Sequence, residues 1–214
     1  MIDYFFYTYF THIFTFWSLS SIFIYIDFNN LFQDYRLRKN QIDKLFYKET
    51  IKDVINTHVK VMLPFNLIIA PTWDYFGCTW DSPNYSIFHI LFILLIEELL
   101  FFYLHYIFHK NKYLFKKIHY KHHKWKEPVA VSALYAHPVE NILCNFLPLL
   151  IGIYITKLNF YYVIFMIVFV TTNAVLVHSG YNFRKKINNH YKHHKNLNKQ
   201  FGILGIFDRI YKTN

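Results

Sequence analysis

Five apolar stretches organise the chain. The first, about Tyr4 to Phe28, is continuous, aromatic and almost free of charge, and its length suits a bilayer-crossing helix, which needs about 20 apolar residues. It has no basic leader and no small-residue cleavage site, so it reads as a retained helix and not a signal peptide. The second, about Val54 to Ala70, is shorter and carries Lys60 and Pro64, which leaves spanning and interfacial placements both open. The third, about Ser86 to Phe108, is the strongest candidate for a span. The fourth and fifth, about Ile142 to Ile155 and Phe160 to Val177, are joined by Thr156-Lys157-Leu158-Asn159, which predicts a helical hairpin with a tight polar turn.

Charge gives these stretches a direction. Six Lys/Arg residues lie between Asn29 and Asp53, seven between His109 and Ala136, and eight from His178 onward, leaving only Lys60 and Lys157 elsewhere. The segment from Pro71 to Tyr85 has no basic residue and holds Asp74 and Asp81. By the positive-inside rule the three basic segments face the cytoplasm. The hairpin returns the chain to the face it left. The expected fold is therefore all-α, an integral membrane bundle of about four to five membrane helices with a cytoplasmic, histidine-rich helical cap.

Composition agrees with a membrane protein. At 214 residues the chain fits one domain and is short for two, and 54% of it is hydrophobic and 22% aromatic. Cys78 and Cys144 are its only cysteines and form no paired motif, which argues against a disulfide framework or thiolate metal site. The net charge of +10 flanks apolar spans, and no nucleic-acid motif accompanies it, so nucleic acid is not an expected partner.

Histidine changes the picture. Of 13 histidines, His105 and His109 form an HX3H pair at the end of the third span, where i and i+4 share a helix face. His119, His122 and His123 form HX2HH, and His190, His193 and His194 repeat it. Eight imidazoles exceed what one tetrahedral zinc ion uses and suit two metal ions. Imidazole accepts Fe, Zn, Cu or Ni, so residue type leaves the metal open. His12, His58 and His89 match no motif. Glu98 lies seven residues before His105 and eleven before His109, within roughly 20° of both on an ideal helix. It is expected to orient a histidine through a hydrogen bond or to pair with a lysine.

These clusters resemble those of the fatty acid hydroxylase and sterol desaturase superfamily, and the residues around them look most like its C4-methylsterol oxidase branch. Glu97-Glu98 stands where that branch has Glu-Asp, and HYKHHKWKEP (119–128) resembles its HKxHHxxxxP. Tyr135 to Glu140 resembles YAHPxE, His178 to Tyr181 resembles HSGY, and Phe201-Gly202 with Asp208-Arg209 resembles the closing motif. Tyr106, Tyr191 and Lys212 depart from the pattern, and none of the three is a ligand position.

The resemblance implies a single catalytic region at 86–214, preceded by N-terminal membrane helices and a connector at 1–85. It adds His178 as a ninth ligand. It also adds His137, as a tenth ligand or a residue that supports one, and gives Glu140 a supporting role. It implies two iron ions, dioxygen as co-substrate, and electrons from NAD(P)H through cytochrome b5 and its reductase, since no NAD or flavin fingerprint is present. The implied activity is a lipid monooxygenase of the endoplasmic reticulum that hydroxylates the C4 methyl of a sterol. A fatty acyl or sphingolipid hydroxylase, a sterol desaturase, and a metal-binding membrane protein without redox chemistry are the alternatives.

Overall fold

The structure is a computed structural model that describes residues 2–182 and 189–214. Met1 and 183–188, which include Arg184, Lys185 and Lys186 of the third basic segment, lie outside the described residues. Helix α1 (Ile2–Phe28) is followed by α2 (Lys44–Thr57), a π turn (His58–Met62), α3 (Leu63–Ile69) and the short α4 (Thr72–Tyr75). Then come α5 (Ile87–Lys110), α6 (Lys112–Lys117), two 3-10 segments (His119–Lys124 and Ala130–Leu134), α7 (Pro138–Glu140) and a second π turn (Asn141–Phe146). Helices α8 (Leu147–Thr156), α9 (Phe160–His178), α10 (Asn189–Lys195) and α11 (Ile206–Ile210) complete the chain. The regular elements among the described residues are all helical, with no strand and one isolated β-bridge between Arg36 and Tyr181.

Four helical segments are long and apolar enough to cross a membrane: Ile2–Phe28, Ile87–Lys110, Pro138–Thr156 and Phe160–His178. Their outward faces carry large apolar side chains such as Phe14, Phe88, Leu91 and Phe165, as a lipid-facing surface requires. The 54–70 stretch is not among the four, yet α2 and α3 run antiparallel beside α1 along most of its length. Tyr47 Oη donates to Asp27 Oδ2 at one end, and Thr8 Oγ1 lies 3.1 Å from Asn66 Oδ1 at the other. This segment returns the chain, so that α1, α5 and α9 all run in the same direction.

Both π turns precede a proline. Pro64 and Pro148 lack an N–H to give the carbonyl four residues back, and their rings crowd it, so the preceding turn widens. Helices α1 and α9 pack together, as do α5 and α8. Gly152 permits the second contact, because a Cβ there would lie 3.2 Å from the Ile93 Cα.

The predicted hairpin is present. Lys157 adopts φ 49 at the turn, and Asn159 caps α9 through its side chain, accepting from the Tyr161 N–H. The Asn159 amide also donates to the carbonyls of Trp80 and Ser82, at 2.8 and 2.7 Å. Tyr4 Oη donates to Asp74 at 2.6 Å, which brings the start of α1 to the same end. That end gathers the base-poor 71–85 loop, and the opposite end gathers the histidines.

Candidate metal centre

The histidine-rich end is assembled by fixing loops to the ends of α1, α5 and α9. Asp27, at the end of α1, forms a buried ion pair with Arg38 and accepts from Tyr47 Oη at 3.1 Å and Tyr181 Oη at 2.9 Å. Arg38 Nη1 then donates to the carbonyls of Ser179 (3.1 Å) and Pro128 (3.3 Å). This cluster ties the residues after His178 to the loop that follows His123. It also accounts for the HSGY motif: Gly180 has φ 77, and a Cβ there would lie 2.7 Å from Arg38 Nη1 and 2.8 Å from the Pro128 carbonyl.

A second clamp holds the closing motif. Asp208 accepts the N–H groups of Phe201 and Gly202, both at 2.8 Å, and Glu98 accepts those of Ile203, Leu204 and Ile206 at 2.7, 2.7 and 2.9 Å. Among the described residues Glu98 therefore bonds to backbone and not to an imidazole or a lysine. Its connection to the histidines runs through the loop it holds, because His105 Nδ1 donates to the Phe201 carbonyl at 2.7 Å. Gly202 is needed at the crossing, where a Cβ would come within 2.6 Å of Glu98 Oε1.

On this frame nine imidazoles converge in two groups. His105, His109, His119, His123 and His193 form one, and His122, His178, His190 and His194 form the other. Within each group the facing nitrogens all lie within 4.8 Å of one another. Each HX2HH motif is divided. His119 with His123 and His190 with His194 stay together, while His122 and His193 cross to the other group. On α10 this follows from helical geometry, since residue i+4 lies about 40° from i while i+3 lies about 60° the other way. The first motif is wound as a 3-10 segment instead of the expected α-helix.

The donor set fits metal. Neighbouring Nε2 atoms are 2.7 Å apart for His109 and His119, 2.9 Å for His119 and His123, 2.8 Å for His178 and His190, and 3.3 Å for His122 and His178. Two nitrogens bound at right angles, each about 2.1 Å from one ion, would lie about 3 Å apart. Hydrogen bonding does not account for all these contacts. His105, His178 and His193 give their Nδ1 protons to the carbonyls of Phe201, Ala174 and Lys199 at 2.7, 2.7 and 2.6 Å. Their Nε2 atoms are then bare lone pairs aimed at other nitrogens, an arrangement that a cation relieves. His119 Nδ1 lies 2.9 Å from Glu140 Oε1, within ion-pair distance.

Burial keeps these imidazoles neutral. His119, His122, His123, His190 and His194 are all held below the usual histidine range, first by desolvation and then by the other imidazoles. His193 is lowered to about 4, again mainly by burial, with the Lys199 carbonyl pulling the other way. A neutral imidazole is the form that ligates.

His137 stands apart from both groups. It is half-buried, and its Nδ1 accepts the Val139 N–H at 3.2 Å as the N-cap of α7. His89 likewise caps α5 through Ser86. Sequence reasoning missed the Asp27–Arg38 cluster and the orienting carbonyls, since backbone acceptors leave no residue-type signal.

The two groups close one end of a cavity of about 680 Å³. His105, His119, His122, His178 and His190 line that end, and Phe16, Met62, Phe65, Leu149, Leu150 and Ile153 line the apolar body.

The fatty acid hydroxylase family profile matches residues 90–213. Fatty acid hydroxylase domain-containing protein 2 of Homo sapiens is 30% identical over 93% of this chain and 63% of its own length. Fatty acid hydroxylase ahd1 of Mycosarcoma maydis is 31% identical over 78% of this chain and 45% of its own length. Methylsterol monooxygenase erg25B of Aspergillus fumigatus is 29% identical over 75% and 57%. The chain thus spans under two thirds of the length of these relatives. No solved structure matches it.

Proposed function

The chain belongs to the fatty acid hydroxylase family, and on that premise we propose that it is a membrane-bound di-iron oxygenase that hydroxylates an unactivated C–H bond of a lipid. The observation that carries this reading is the placement of two imidazole groups at the closed end of a largely apolar cavity. In the proposal His105, His109, His119, His123 and His193 hold one ion and His122, His178, His190 and His194 the other, while His137 supports the fold beside them. Bound iron would supply the activation of dioxygen. The chain's own residues keep the ligands neutral and fixed through the Phe201, Ala174 and Lys199 carbonyls and Glu140. The cavity presents a lipid to that end and excludes water.

Residues 86–214 form the catalytic region in this reading. Residues 1–85 contribute Thr8, His12, Phe16, Met62 and Asn66 to the cavity wall. Electrons come from NAD(P)H through cytochrome b5 and its reductase, which dock on the basic face, and the histidine end faces the cytoplasm from the endoplasmic reticulum. The motif set points to the C4 methyl of a sterol as the substrate. The likeness to fatty acid hydroxylase ahd1 supports a second reading, an acyl chain.

Anaerobic iron reconstitution of the purified protein, followed by metal counting and oxygen uptake with a reductant and lipid, tests the class. Two irons per chain and lipid-dependent uptake are expected. Retention of zinc alone with no uptake would overturn it in favour of a metal-binding protein without redox chemistry. Product analysis with a 4-methylsterol and a ceramide separates the substrates, and a hydroxylated ceramide beside untouched sterol would remove the sterol reading.

A further inference from the structure

The cavity wall on α5 is built from residues one turn apart: Glu97, Phe101 and His105. Phe101 packs on His105 with ring centroids 5.1 Å apart, and Glu97 lies a turn deeper. Glu97 and His105 are eight residues apart, about 12 Å along the helix axis. Unlike Glu98, Glu97 has no hydrogen-bond or ion-pair partner among the described residues, although it is only 8% exposed. An isolated carboxyl in an apolar cavity is costly to desolvate unless something bonds to it.

A second lone polar atom occurs in the same cavity. His12 lines the cavity from α1 with its Nδ1 3.1 Å from Thr171 Oγ1, and its buried Nε2 has no partner. Thr171 stands seven residues before His178 on α9, about 10 Å along the axis. Glu97 and His12 thus each line the cavity about two helical turns below the imidazole groups, on different helices.

We infer that Glu97 anchors the hydroxyl group of the lipid substrate, so that the reacting carbon is held toward the histidines. A hydroxyl is the group that fits, since it both donates and accepts and so pairs with a carboxyl whether that carboxyl is ionised or protonated. It is also cheaper to desolvate than an ammonium or a phosphate. Long-chain alcohols carry this chemistry and a plain hydrocarbon lacks it, and an alcohol held at this depth brings a carbon several bonds along its chain to the histidines. A sterol held there by its 3-hydroxyl would keep the adjacent C4 methyl about two turns away, so the inference rests on the acyl-chain reading of the proposed function.

The test is a coupling measurement on the purified full chain in lipid nanodiscs, read by equilibrium binding without turnover. The probes are a 4-methylsterol with its 3-deoxy analogue, and hexadecan-1-ol with hexadecane. Comparing each pair between wild type and Glu97→Leu cancels differences in lipid partitioning. In the hexadecanol pair, wild type should prefer the hydroxyl compound over its analogue by roughly tenfold to hundredfold more than Glu97→Leu does. An effect confined to the sterol pair would overturn the inference, because the C4 methyl beside that hydroxyl would lie far from the histidines. Glu97→Met, a second apolar replacement, should behave as Glu97→Leu does and serves if the leucine variant fails to fold. Glu97→Gln, which keeps a donor and an acceptor in place, should retain most of the preference. An unchanged preference in both apolar variants, or none in wild type for either pair, overturns the inference. Binding is read without chemistry, so a missing oxygenase activity with intact coupling would count against the proposed function alone.

Discussion

Replacing Glu98 by Gln should loosen the metal centre without touching a ligand. Glu98 is fully buried, and its two oxygens accept three backbone N–H groups: Ile203 and Leu204 on Oε2, and Ile206 on Oε1. A glutamine can offer its one oxygen to only one side. If it keeps the Ile203 and Leu204 bonds, its NH2 faces the Ile206 N–H, donor against donor. One buried N–H left without a partner costs about 1–3 kcal/mol, and the two surviving bonds lose charge assistance of about 1 kcal/mol each. The loop would thus lose on the order of 3–5 kcal/mol of its attachment to α5. The Phe201 carbonyl that orients His105 is carried by that loop, and loss of such an orienting bond typically weakens metal affinity roughly 10- to 100-fold. The assay is metal titration of the purified variant in competition with a chelator, together with its thermal melt. The first ion lost should be that of the five-histidine group. Wild-type affinity for both ions and an unchanged melt in Glu98→Gln would refute the reasoning.

Further outcomes follow from the same geometry. His178→Ala should lose one metal of the two while His137→Ala keeps both, because only His178 points into a histidine group; metal counting on the two variants checks this. Gly180→Ala should lower the melting temperature and yield, since its φ of 77 is strained for alanine and the new Cβ meets Arg38 and Pro128; a cost of about 1–3 kcal/mol is expected, and an unchanged melt would contradict it. Asp27→Asn should destabilise the chain by about 3–5 kcal/mol, as it leaves the buried Arg38 charge uncompensated; loss of folded protein in a thermal assay is the readout. Chelation of the bound metal should lower the melting temperature by an amount that grows with the logarithm of its affinity, because ions that bind only the folded state stabilise it by mass action.

Much of the candidate site was legible because ligand spacing on helices is a local property. His105 with His109, and His190 with His194, follow directly from the helical repeat, and the tight turn at Lys157 and Asn159 was readable as a polar break between two apolar runs. The division of each HX2HH motif between two groups was not legible. It depends on how the 3-10 segment at His119 to Lys124 meets α9 and α10, and spacing alone does not encode that meeting. The four spans were plain from hydropathy, whereas the path of 44–69 was hidden. Its polar positions, Lys60 and Asn66 among them, obscure a helix stabilised by bonds to α1 and not by apolar length.

Glu97 and Glu98 show why residue type and position were not enough. Both are buried acids at adjacent positions of one helix, and the sequence sets Glu98 apart only by its angle to His105 and His109. Helical rotation separates their roles by about 100°. Glu98 meets a loop with three free N–H groups and becomes a structural acceptor, while Glu97 faces the cavity and meets none. The cost of burying the first is met inside the fold. That of the second is not, and a buried acid without a partner of its own calls for one from outside. The metal end can orient its histidines through carbonyls that any sequence supplies. Selection of a lipid, however, needs a side chain whose partner the protein does not provide, and Glu97 is the cavity acid with neither a hydrogen bond nor an ion pair among the described residues.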